Sequence, residues 1–86
     1  MKEKIEDLRR MYLNSLVLFR GTENYYFFGE DAKEASEILG TTLTNSKGMF
    51  QTVIPKKSLN LHLSKLIKAG KRVVYCQIFS QRNYHL

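Results

Sequence analysis

The chain predicts an α/β (α+β) domain, a mixed β-sheet flanked by helices with elements in the order α-β-β-α-β-β-α-β. Three observations predict it. Short apolar runs recur between turn-forming Gly, Asn and Ser residues, as strands require. Three other stretches carry the three-to-four-residue apolar spacing of amphipathic helices. A hydrophobic content of 43% with ten aromatic residues suits a folded chain. At 86 residues the expectation is a single domain over 1–86, with little surface to spare for a second core or a deep cleft.

Residues 3–14 read as the first helix, with Ile5, Leu8, Met11 and Tyr12 on one stripe and a stop at Asn14-Ser15. "LVLFR", Leu16–Arg20, is apolar and too short for a helix, so it reads as a strand. "GTEN" is a turn, and "YYFF", Tyr25–Phe28, is a second strand antiparallel to the first. "EDAKEASEIL" reads as a helix. Glu30 and Asp31 suit its positive N-terminal end, Ala32, Ala35, Ile38 and Leu39 form a narrow core stripe, and Gly40 stops it. "TTLT" is extended, "NSKG" is a turn, and "MFQTVI" is a strand halted by Pro55.

Residues 57–69 predict the most informative helix. At about 100° per residue, Leu59, Leu63, Leu66 and Ile67 share one face and Lys57, Lys65 and Lys68 the opposite one. Leu61 falls among the lysines, where a core-only account does not want it. Gly70 caps this helix, and Lys71–Phe79 reads as the last strand.

The net charge of +6 is unevenly divided. Residues 1–40 hold all eight acids and six basic residues; residues 41–86 hold eight basic residues and no acid. A basic half of this kind is the footprint of a polyanionic partner. Several function classes are disfavoured. No apolar run approaches the roughly 20 residues of a membrane span, and "MKEKIEDLRRMY" lacks the continuous apolar stretch of a secretory signal, so a cytoplasmic, non-membrane protein is expected. Two distant histidines and one cysteine supply no metal site, and Cys76 reads as a buried free thiol. His62 reads as a surface residue bordering the apolar face of its helix. "KAGKRV" has Arg72 where a phosphate-binding loop needs a hydroxyl, and Glu30-Asp31 is a dipole-complementing pair. Neither an enzymatic activity nor a cofactor is expected.

"LFRGTENYYFFGEDAKEASEILGTTLT", Leu18–Thr44, and "PKKSLNLHLSKLIKAGKRVVYCQ", beginning at Pro55, can be aligned without gaps to a known pattern. They resemble the N-terminal domain (domain I) of the MutS family of DNA mismatch repair proteins. The family's first block runs, in outline, LFR-x-GDFYELFGEDA-x-x-AS-x-x-LG-x-x-LT. Its second is matched at Pro55, Leu59, Leu63, Leu66, Lys68, Gly70, Val73 and Cys76. The resemblance covers nearly all of the chain and implies a mixed sheet flanked by helices.

It also implies a domain that approaches mismatched DNA through an F-x-E motif. There the phenylalanine wedges beside a mispaired base from the minor groove, and the glutamate hydrogen-bonds that base. The phenylalanine position is Asn24 here and the glutamate position is Tyr26, while the tyrosine between them is kept as Tyr25. The scaffold is the family's, and the mismatch-reading tip is rewritten. An amide at Asn24 could hydrogen-bond a base edge and Tyr26 could stack, both on one strand face, with Tyr25 pointing the other way into the core.

The expectation is a stand-alone, non-enzymatic module that binds duplex DNA through phosphate contacts from Lys56, Lys57, Lys65, Lys68, Lys71 and Arg72. Asn24 and Tyr26 would lie at the tip of its DNA-binding surface, and the lost F-x-E motif argues against strong mismatch preference. The alternative from another class is a protein-interaction module docking on a repair or mobile-element protein, through Leu61 and the aromatic edge Tyr25–Phe28.

Overall fold

A computed structural model describes residues 2–77. The elements are α1 (Lys2–Met11), β1 (Leu16–Arg20), β2 (Asn24–Phe28), α2 (Gly29–Leu39), β3 (Thr44–Ser46), β4 (Met49–Pro55), a short 3-10 turn at Lys56–Ser58, α3 (Leu59–Lys68) and β5 (Val73–Cys76). The expected class holds: a five-stranded mixed sheet, in the order β3-β4-β2-β1-β5, carries three helices.

β1 is the strand around which the rest is organised. Its residues Leu16, Val17, Leu18 and Phe19 are all buried, because helices lie on both faces of the sheet there. Alternation sends Leu16 and Leu18 into a cluster with Phe27, Ile54, Ala32, Ala35, Leu39 and Leu66, under α2 and α3. Val17 and Phe19 go to the opposite face and meet Ile5 of α1, with Leu8, Tyr26, Phe28, Met49 and Cys76 partly buried around them. β1 pairs antiparallel with β2, placing Arg20 opposite Tyr25, and parallel with β5, placing Leu18 opposite Tyr75. β2 pairs antiparallel with β4, placing Asn24 opposite Pro55.

Local chemistry explains most element ends. Gly40 sits at φ 75, the left-handed conformation that closes α2, and its N–H donates to the Ser36 carbonyl at 2.8 Å. The fully buried Thr52 hydroxyl is not stranded. It donates to the Thr42 carbonyl at 2.8 Å and shares a 2.6 Å hydrogen bond with the Thr41 hydroxyl, tying the loop after α2 to β4.

Several boundaries and faces differ from expectation. α1 ends at Met11, and Met11 is 67% exposed with Tyr12 also exposed. Of the expected stripe, Ile5 and Leu8 pack into the cluster against β1, because the chain must leave the helix early to enter that strand. β3 takes in Asn45 and Ser46, so the turn shrinks to Lys47-Gly48 at positive φ (54 and 82). On α3, Leu66 is fully buried and Leu59 and Leu63 half-buried, but Ile67 is 65% exposed. The buried stripe follows the four-then-three step 59–63–66, and Ile67 lies one further turn-step of about 100° away, off that contact line. Cys76 is half-buried and its burial pushes the thiol above its ordinary 9.0. The last strand is described as Val73–Cys76, and Ile78 and Phe79 lie outside the described residues.

These placements separate two adjacent residues sharply. Leu66→Ala should cost about 2–5 kcal/mol by cavity formation, whereas Ile67→Ala should change stability by no more than about 0.5 kcal/mol. Urea denaturation of the two variants beside the parent measures both.

Candidate nucleic-acid interface

The Gly21–Glu23 turn joins β1 to β2 at one end of the sheet. The Gly21 N–H donates to the Asn24 carbonyl at 2.8 Å and closes it. A side chain at Gly21 has no room: an added Cβ would stand 2.8 Å from Cε1 of the Tyr26 ring and 3.1 Å from the Asn24 carbonyl oxygen. The Lys56 ammonium donates to the Thr22 carbonyl at 2.7 Å, so the residue after β4 braces the turn from outside.

Asn24 is half-buried in register with Pro55. Tyr26 shares its strand face, as alternation requires, but its ring is already engaged. It stacks on Phe28 with centroids 5.9 Å apart and planes 6° from parallel, and Phe28 in turn meets Phe19 at 5.4 Å. Tyr25 points to the other face and packs partly against the α2–α3 cluster.

The sequence-designated cations do not gather at one place. Lys56 and Lys57 lie at the turn end, just past Pro55. α3 then runs away from that end for ten residues, about 15 Å at 1.5 Å per residue. Exposed Lys65 and Lys68 fall in its last turns. Lys71 and Arg72 sit at the opposite end of the sheet, since Arg72 precedes Val73 and Val73 is in register with Leu16 at the start of β1. There they line an open cavity of about 440 Å³ together with Asp31 and Glu34. The Lys71 ammonium is ion-paired with Glu34. Lys57, Lys65, Lys68 and Arg72 have no ion-pair partner among the described residues. Lys57, Lys65 and Lys68 are thus exposed on α3 and the turn before it, while Lys71 and Arg72 line a cavity of mixed charge.

Leu61, on the lysine side of α3, is 60% exposed. His62 is half-buried and its Nδ1 donates to the Ser58 carbonyl at 2.8 Å, which holds the first turn of the helix. Among the described residues, no three His, Cys, Asp or Glu side chains stand close enough to hold a metal ion, and no helix is long and apolar enough to cross a membrane.

Two residues at the turn end escaped sequence reasoning. Arg20 is exposed on the strand face that carries Tyr25, and Tyr75 of β5 stands 6.1 Å from Tyr25 between ring centroids. Partial burial, with a smaller contribution from Tyr25, raises the Tyr75 phenol above its ordinary 10.0. Nothing local to either residue signals this. It follows from β5 lying beside β1, a pairing across most of the chain.

The fold is thus a small α+β domain with a braced hairpin turn and exposed lysines along its last helix. The chain belongs to the MutS domain I family, whose sequence model matches residues 1–84. It is 40% identical over 81 residues to the DNA mismatch repair protein MutS of Flavobacterium johnsoniae, covering 88% of this chain and 9% of that protein. It is 36% identical over 76 residues to the MutS of Thermotoga neapolitana, covering 88% of this chain and 10% of the relative. With the MutS of Porphyromonas gingivalis the identity is 42% over 74 residues, 80% of this chain and 8% of the relative. The chain thus spans about a tenth of the length of these curated relatives.

The close approach at Gly21 gives a direct test of the turn. Gly21→Ala should force the Tyr26 ring off its Phe28 stack and lower stability by about 1–3 kcal/mol, as overpacking does. Thermal unfolding measures the loss, and the Tyr26 and Phe28 ring resonances in an NMR spectrum report the displaced stack.

Proposed function

We propose that this domain is a non-enzymatic module that binds duplex DNA chiefly through its phosphates, in a mismatch-repair setting, with weak preference for mismatched sites. The observation that carries the reading is the α3 row. Lys57, Lys65 and Lys68 are exposed, have no ion-pair partner among the described residues, and lie in a stretch of the chain without a single acid. Ammonium groups along a helix about 15 Å long can follow a phosphate backbone and displace its condensed counterions.

Membership of the MutS domain I family, and relatives named as DNA mismatch repair proteins, support DNA as the polyanion. Within the row, Lys57, Lys65 and Lys68 take the phosphate contacts. Lys56, donating to the Thr22 carbonyl, contributes by bracing the turn as much as by charge. Lys71, paired with Glu34, contributes least, and Arg72 lines the same cavity at the opposite end of the sheet from the turn. Weak mismatch preference follows from the tip. Asn24 offers an amide and no ring to insert, and the Tyr26 ring is held against Phe28.

Fluorescence anisotropy of a matched duplex and a G·T-mismatched duplex, at several salt concentrations, tests the proposal. Both duplexes should bind alike and weaken with salt. Replacing Lys57, Lys65 and Lys68 by Ala should shallow the log-log salt slope by about 0.9 per lost phosphate contact. A strong mismatch preference would return base reading to Asn24 or Tyr26. Absence of binding to either duplex at low salt would overturn the proposal and favour protein docking, with exposed Leu61 as its contact point.

A further inference from the structure

We propose that Arg20, Tyr25 and Tyr75 form a site for one unstacked base of a single-stranded nucleic acid, separate from the lysine row. Three strands build it. Arg20 ends β1 and is opposite Tyr25 of β2, while Tyr75 of β5 is opposite Leu18, two residues before Arg20. All three side chains emerge on the face that carries α2 and α3, where they and Gln77 line a shallow cavity of about 270 Å³. That is room for one planar ring system rather than for a base pair.

The chemistry of the lining points to a nucleotide. The two tyrosine rings stand 6.1 Å apart and 58° from parallel, a tilted pair in which half-buried Tyr25 backs the more exposed Tyr75 at the cavity. Tyr75 is 52% exposed, because β5 is the edge strand and no neighbour lies beyond it among the described residues. Base–aromatic stacking tolerates any sequence, since every base presents a flat π-face. Arg20 is exposed without an ion pair among the described residues, and its planar guanidinium suits a phosphate oxygen pair. Lys56 and Lys57 lie at the same end of the sheet, which supplies a path for the flanking backbone.

An intact duplex cannot use this cavity, because its base faces are covered by their neighbours. A single strand can. The site therefore extends the proposed phosphate reading, on which it rests, to a second class of nucleic acid.

Anisotropy titrations of the full chain should compare a short oligo-thymidine strand, an abasic strand of equal length and a matched duplex. The thymidine strand should bind about tenfold tighter than the abasic one, the size expected for one stacked base. Tyr75→Val, which keeps a strand-forming residue on an exposed position, should erase that gap and leave duplex binding unchanged. Tyr75→Phe should preserve it, and circular dichroism confirms that each variant is folded. Equal binding of the two strands with duplex binding intact would overturn this inference alone, as would a gap that survives Tyr75→Val. Failure of all three ligands to bind would overturn the phosphate reading together with it.

Discussion

The Asp31 carboxylate joins three elements at one point. Its backbone belongs to the first turn of α2, where the helix dipole favours a negative charge. One of its oxygens, Oδ2, accepts the Val17 N–H of β1 at 3.0 Å and stands 3.4 Å from Nε of Arg9 in α1. The Arg9 contact is an ion pair without hydrogen-bond geometry, so Nε is buried with charge compensation but no hydrogen-bond partner among the described residues. The Arg9 guanidinium also reaches Glu6 at 3.3 Å and lies where a Cβ on Gly29 would stand, 2.7 Å from Nη1. Gly29, at φ 66, therefore answers two demands at once: the sharp step from β2 into α2 and the close approach of the arginine. Helices on opposite faces of the sheet are fastened to the same strand by this one carboxylate.

That arrangement fixes which face of the sheet each tip residue shows. With α1 held on one side, Tyr26 and Phe28 close the hydrophobic cluster around Phe19, and ring area that could have faced a ligand becomes packing. With α2 and α3 on the other side, the α3 helix turns Leu66 inward and its lysines outward. Charge is distributed by the same logic. Asp31 and Glu34 of α2 stand near the start of β1, where Glu34 takes up Lys71, and α3 itself carries lysines and no acid. The residue that leads into α3 is tied to the hairpin turn where the Lys56 ammonium donates to the Thr22 carbonyl.

Strands and helix cores were legible wherever burial was one-sided and periodic. β1 lies at Leu16–Arg20 as read, the α2 stripe buries Ala32, Ala35 and Leu39, and Gly40 closes the helix. Legibility failed where the amount of neighbouring structure decided the matter. Met11 and Tyr12 continue the spacing of the α1 stripe, yet both are exposed and neither joins the cluster of described residues beneath α1. Ile67 sits beside Leu66 on a helical projection, but the line of contact with the sheet is narrower than the apolar face.

The order of elements and the single basic half are readable from the chain, because they depend on spacing and composition. Which cations remain available depended on partners remote in sequence. A lysine is counted the same way whether or not a carboxylate or carbonyl meets it, and only folding brought Glu34 to Lys71 and Thr22 to Lys56. The aromatic pair of Tyr25 and Tyr75 arose in the same manner. It required β5 to cross over and pair beside β1, and long-range strand pairing is settled by the packing of the whole sheet rather than by the residues of any one strand.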